Sequence, residues 1–241
     1  MADEERPGGE RVADGMRQGG RQPETGFGVE EGRLTLRERK KLRTRQRISG
    51  EATLLFIQRG FDNVTVAEVA RAAEVSTMTV FNYFPRKEDL FLDRIPEARE
   101  LIARAVRERG ADEPPLAALR RLVLGLLAER HPLGAVGEGF EHFWRTVLDS
   151  PALRARGREA VEEMEHTLAA TLAEATGGDA ERPGHDARLG AALIVAAIRV
   201  AYVEAAARQL GGDPVDEVAV GQSEVLRRTF DALERALPGF A

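Results

Sequence analysis

Between Leu189 and Leu210 nearly every residue is Ala, Val, Ile or Leu, and Arg199, Glu204 and Arg208 are the few charges. A helix that is apolar nearly all round has to be buried on most of its sides. In a chain of 241 residues, that burial is most easily achieved against a partner subunit. The run does not reach the roughly 20 uninterrupted apolar residues of a membrane span. Elsewhere the apolar residues recur at helical spacing and no stretch alternates as a strand does. Aromatics make up only 5% of the chain, and Ala and Leu carry much of the apolar content, which favours helix over sheet. The expected class is therefore all-α. There is no cysteine, so disulfides, thiolate metal sites and cysteine nucleophiles are excluded. The acidic, Gly-rich N-terminus lacks the apolar core of a signal peptide, and the expected location is the cytoplasm.

The net charge of −5 hides a strong asymmetry. Residues 1–32 carry −4, residues 33–94 carry +5 and residues 95–241 carry −6. All three lysines, Lys40, Lys41 and Lys87, fall in the basic segment. Such a distribution suits a chain in which one segment meets a polyanion while the rest repels it. Residues 1–32 contain almost no large apolar side chain and are expected to be a disordered tail. Residues 33–94 and 95–241 are expected to form two helical domains.

In the basic segment, Ile48, Ala52, Leu55 and Phe56 lie on one helical face, and Gly60 suits a left-handed cap. Thr65-Val66-Ala67-Glu68 reads as a capping box. The short helix behind it ends at a tight turn containing Glu74 and Val75. Ser76 is placed to cap a further helix, Thr77–Tyr83, that Pro85 terminates. Two short helices joined by a tight turn and preceded by a basic segment make a DNA-reading arrangement. The outward positions of the second helix, Thr77, Met78, Thr79, Phe81, Asn82 and Tyr83, include no acid and suit base edges and phosphates. A fourth helix is expected from near Lys87 to about Arg109, kinked at Pro96.

These residues resemble the TetR family of bacterial regulators. Gly60 to Ala70 (GFDNVTVAEVA) matches the first half of the family's motif, and Val75 to Leu90 (VSTMTVFNYFPRKEDL) matches the second. The resemblance spans about residues 37–94. It implies phosphate contacts for Thr65, Thr79, Tyr83 and Lys87, and base-facing roles for Thr77, Met78, Phe81 and Asn82. Arg43, Arg47, Val66 and Ser76 join the same expected interface, with the basic arm tracking the DNA backbone or minor groove. Thr65 and Ser76 equally serve as plain helix caps. Phe81 stands where tyrosine is usual, and Glu74 where glycine is usual. The resemblance further implies a C-terminal bundle that dimerises and binds an effector.

Toward the C-terminus, helices are expected near 115–130, 137–149, 151–176, 186–210 and 215–236. The last two are expected to form a homodimer interface with their twofold copies. Phe140, Phe143 and Trp144, with Met164, Arg199 and Tyr202, are candidates for the wall of an apolar effector pocket; core packing is the other reading of the aromatic cluster. Arg199, inside an apolar helix, either faces an anionic ligand group or pairs with a carboxylate. The histidines show no metal-ligand spacing, and there is no phosphate loop or nucleophile elbow. No cofactor, metal or membrane is expected. The overall expectation is a non-enzymatic regulator, a repressor that binds a palindromic operator as a homodimer and is released by a small molecule. A ligand-independent regulator, an activator and an all-helical enzyme remain alternatives.

Overall fold

The computed structural model describes residues 35–241. The expected disordered tail, residues 1–32, lies outside them. Nine α-helices and no strand occur among the described residues: α1 (Leu36–Arg59), α2 (Val66–Ala72), α3 (Thr77–Tyr83), α4 (Ile95–Arg107), α5 (Pro115–Ala128), α6 (Phe140–Asp149), α7 (Pro151–Ala175), α8 (His185–Leu210) and α9 (Val215–Ala236). The chain divides into two compact units. The first holds residues up to Asp93 together with His142–Leu153, and the second holds Arg94–Glu141 and Arg154–Ala241.

In the first unit, α1 begins at a capping box. The Thr35 hydroxyl accepts from the Glu38 amide, and the Glu38 carboxylate accepts from the Thr35 N–H. The helix ends at Gly60, whose φ of 82° and ψ of 143° lie outside the left-handed helical cap expected there. Only glycine reaches that region without a Cβ clash. Ile48, Ala52 and Phe56 on α1, Val69 and Ala70 on α2, and Val80 on α3 share one core. Phe84, Leu90, Phe91 and Leu153 complete it. The segment 142–153 thus belongs to this core, although it follows the helix-turn-helix by some fifty residues of chain. Phe143, Val147 and Ala152 pack around it, and the buried Ser150 hydroxyl donates to Asp62 at 3.1 Å.

The expected helix from Lys87 to Arg109 is not continuous. A single 3-10 turn, Glu88–Leu90, is followed by α4 starting at Ile95. Pro96 sits in the first turn of α4 and does not kink it. The amide that a proline lacks would have no intrahelical partner in that turn, so proline is well tolerated there.

In the second unit, α8 and α9 pack together, α9 also packs on α5, and α5 on α4. Leu116, Leu119, Leu168, Leu172, Ile194, Leu226 and Phe230 are fully or almost fully buried in the shared core. Two side chains of α8 tie down the turn after α5. The Tyr202 hydroxyl donates to the Leu133 carbonyl at 2.9 Å. Gln209 donates to the Ala135 carbonyl at 2.9 Å and accepts from the Gly137 amide at 3.2 Å. Ion pairs such as Arg107–Glu174 and Arg120–Asp231 stitch the exposed rims; such pairs individually contribute little.

By length and composition α8 would suffice to cross a membrane, and 39% of its most apolar window is buried within this chain. The buried side, including Ala191, Ile194, Val195 and Ala205, packs as a core helix does. The other side leaves Leu189, Leu193, Val200 and Val203 exposed.

Candidate nucleic-acid interface

The reading head is built by capping. The Thr65 hydroxyl accepts from the Glu68 amide at 3.2 Å, and the Glu68 carboxylate accepts from the Thr65 amide at 2.8 Å. Arg59 at the end of α1 pairs with the same carboxylate at 2.7 Å. The Thr65 amide, the Arg59 guanidinium and the Thr65 hydroxyl together hold Glu68 down to about 2. The bond from Arg59 fixes the start of α2 to the end of α1. Ser76 caps α3 in the same manner, accepting from the Thr79 amide at 3.0 Å. Its hydroxyl also bonds the Thr79 hydroxyl at 2.8 Å. Between the two helices Glu74 adopts a left-handed φ of 51°, the conformation that glycine takes without strain.

On α3, Val80 is fully buried and anchors the helix to the core. Thr77, Met78, Phe81 and Asn82 are exposed together, whereas Thr79 and Tyr83 are half-buried. Tyr83 packs partly against the core. On α1, Arg37, Arg39, Lys40, Lys41, Arg43 and Arg47 are all exposed. Arg45 is held instead. Its guanidinium lies 4.7 Å from the Phe84 ring centroid and donates to the Asp93 carbonyl at 2.7 Å.

Lys87 has a structural engagement that the sequence does not announce. Its ammonium donates to the Phe61 carbonyl at 2.7 Å and sits 4.3 Å from the centroid of the Phe61 ring. Burial against these groups pushes its pKa down. It therefore clips the end of α3 to the turn after α1.

The candidate pocket residues are distributed over both units. Phe143 stacks on Phe91 with centroids 5.0 Å apart, and Trp144 meets Phe143 edge-on at 5.2 Å. Both belong to the first unit, where Phe143 packs against the core. Phe140, Met164, Arg199 and Tyr202 belong to the second. Met164 and Tyr202 pack against that unit's core, and burial pushes the Tyr202 phenol up to about 12. Arg199 is exposed beside Val200. Its place in an apolar helix reflects an uncovered face of α8, which neither of the roles expected for a buried arginine requires.

A capped two-helix head with an uncharged exposed reading face, fed by an exposed basic helix, defines a helix-turn-helix DNA-binding protein. The comparisons make this specific. Residues 50–93 match the model for bacterial regulatory proteins of the tetR family. The HTH-type transcriptional regulator BetI of Paraburkholderia phymatum is 32% identical over 172 residues, 70% of this chain and 83% of that protein. The HTH-type transcriptional regulator TcmR of Streptomyces glaucescens is 36% identical over 147 residues, 60% of this chain and 65% of that protein, just under two thirds of its length. Among solved structures, a TetR-family regulator from Mesorhizobium loti superposes with a TM-score of 0.51 at 19% identity, covering 81% of this chain and 96% of that one. SmeT, solved as a complex with triclosan, superposes with a TM-score of 0.52 at 14% identity, covering 80% and 90%. At those identities the structures speak for the fold. The chain belongs to the TetR family, and it is a helix-turn-helix transcriptional regulator.

Proposed function

We propose that the protein is a cytoplasmic repressor that binds a palindromic operator as a homodimer and is released by a small molecule. The observation that carries the reading is the reading head itself. Thr77, Met78, Phe81 and Asn82 form an exposed uncharged face on α3, beside the exposed cations of α1. In this reading α3 enters the major groove, while Arg43, Arg47 and their neighbours on α1 neutralise backbone phosphates. Thr65, Val66, Ser76, Thr79 and Tyr83 set the register of the head, and Lys87 holds its joint.

The homodimer joins α8 and α9 to their twofold copies. The uncovered Leu189, Leu193, Val200 and Val203 on α8 and Val220 on α9 support this, because a contiguous apolar face is costly to leave in water. The effector is a largely apolar small molecule bound in the second unit, which displaces the dimer from the spacing that the operator requires. The closing test is selection of bound duplexes from a random pool at near-physiological salt, combined with sedimentation of the full chain. A recovered palindrome and a dimer bear the reading out. A monomer, or a pool without enrichment, overturns it.

A further inference from the structure

Helix α3 carries the sequence TMTVFNY, with no charged side chain. At about 100° per residue, Thr77, Met78, Phe81 and Asn82 fall within an arc of roughly 140°. Val80, fully buried, points to the other side. Met78 is 70% exposed and Phe81 is 46% exposed, so the middle of the reading face is a thioether chain beside a phenyl ring.

The chemistry of this face is selective. Guanine is most often read by the forked donors of arginine or by lysine, and cytosine by a carboxylate. The face has none of these groups. In the major groove, the group that takes apolar contact is the C5-methyl of thymine, and a carboxamide pairs with the N6 and N7 of adenine. Apolar surface exposed to water on the free protein is recovered as binding free energy only against an apolar partner.

We propose that α3 reads its half-site through thymine methyl groups. Met78 and Phe81 each seat against a C5-methyl, Asn82 takes the edge of an adjacent adenine, and the directly read base pairs are A·T. The cations of α1 supply affinity without choosing among sequences. This inference rests on the operator-binding reading above.

The test uses the unaltered full chain and the duplex recovered from the random pool. Each half-site thymine is replaced, one position at a time, by deoxyuridine, which keeps base pairing and removes only the methyl. At two positions per half-site the Kd should rise about fourfold for each methyl removed, the equivalent of one buried carbon. Met78→Ala and Phe81→Ala alter exposed positions. Each should weaken binding to the thymine duplex and abolish discrimination between thymine and uracil at its own position. If specific binding persists while no uracil position raises the Kd, or if both variants keep full discrimination, the methyl reading is wrong and the operator reading stands. If the pool yields no sequence-specific duplex, both fall.

Discussion

Leu153 tests whether the DNA-binding head depends on chain that comes long after it. The side chain is fully buried in the core built by α1, α2 and α3. Leu153→Ala removes three carbons from that core, worth about 2.4 kcal/mol at ~0.8 kcal/mol per buried carbon. The cavity left behind raises the loss to about 3–4 kcal/mol. For a domain of 60–100 residues each kcal/mol lowers Tm by about 4–8 °C. The single tryptophan, Trp144, lies in the same unit and reports on it by fluorescence. In urea, the Trp144 transition of Leu153→Ala should move to markedly lower denaturant, and operator affinity should fall with it. Leu153→Val, a milder truncation, should move it part of the way. Leu172→Ala, in the core of the second unit, serves as the control and should act first on helix content measured by circular dichroism. A Trp144 transition that shifts by less than about 1 kcal/mol in Leu153→Ala, far below the range for buried leucines, would refute the reasoning. The head would then be self-sufficient without residue 153.

Five further outcomes are expected. Lys87→Met should cost about 2 kcal/mol through loss of its charged hydrogen bond, while leaving the salt dependence of DNA binding unchanged. Arg47→Ala should instead reduce the salt slope by about one and leave stability alone; a Lys87→Met variant with a reduced slope would make Lys87 a phosphate contact. Glu74→Gly should stabilise the head by about 0.5–1 kcal/mol, since relief of a left-handed residue exceeds the added freedom of the unfolded glycine; thermal melts decide it. Gly190→Ala should destabilise the second unit by about 1–3 kcal/mol, because a Cβ there would lie 2.8 Å from the Phe240 ring. Glu68 is held below its ordinary value, so its cap contributes stability above pH 4.5 and loses it as the pH falls toward about 2. Acid titration of wild type against Glu68→Gln should show a difference that fades across that window.

The head was legible in the sequence because its signals are local. Thr65 and Glu68 stand three residues apart, Ser76 opens α3 and Val80 faces inward, and all of these follow from spacing along a few turns of chain. What escaped is non-local. The spacing of Phe140, Phe143, Trp144 and Val147 marks an apolar face, yet nothing in it says that Phe143 and Val147 pack, partly buried, against the core of the first unit. Lys87 has the charge of a phosphate ligand, and only the fold brings the Phe61 carbonyl within its reach. Arg199 sits in an apolar run, and its exposure follows from its phase with Val200 and Val203 on a face that this chain does not itself cover. The cap at Thr35 was hidden by the basic residues that surround it, although Thr35 and Glu38 have the same spacing as Thr65 and Glu68.

The discontinuous first unit also bears on how the protein is made. Residues 94–141 are synthesised between the helix-turn-helix and the segment that completes its core. At roughly 5–20 residues per second, a ribosome that has finished Asp93 needs about 3–12 s to reach Leu153. For most of that interval Phe91 lacks the Phe143 ring that stacks on it, and throughout it the core lacks Leu153. A nascent chain that stops short of Leu153 therefore carries all of α3 and lacks part of the core on which Val80 anchors that helix.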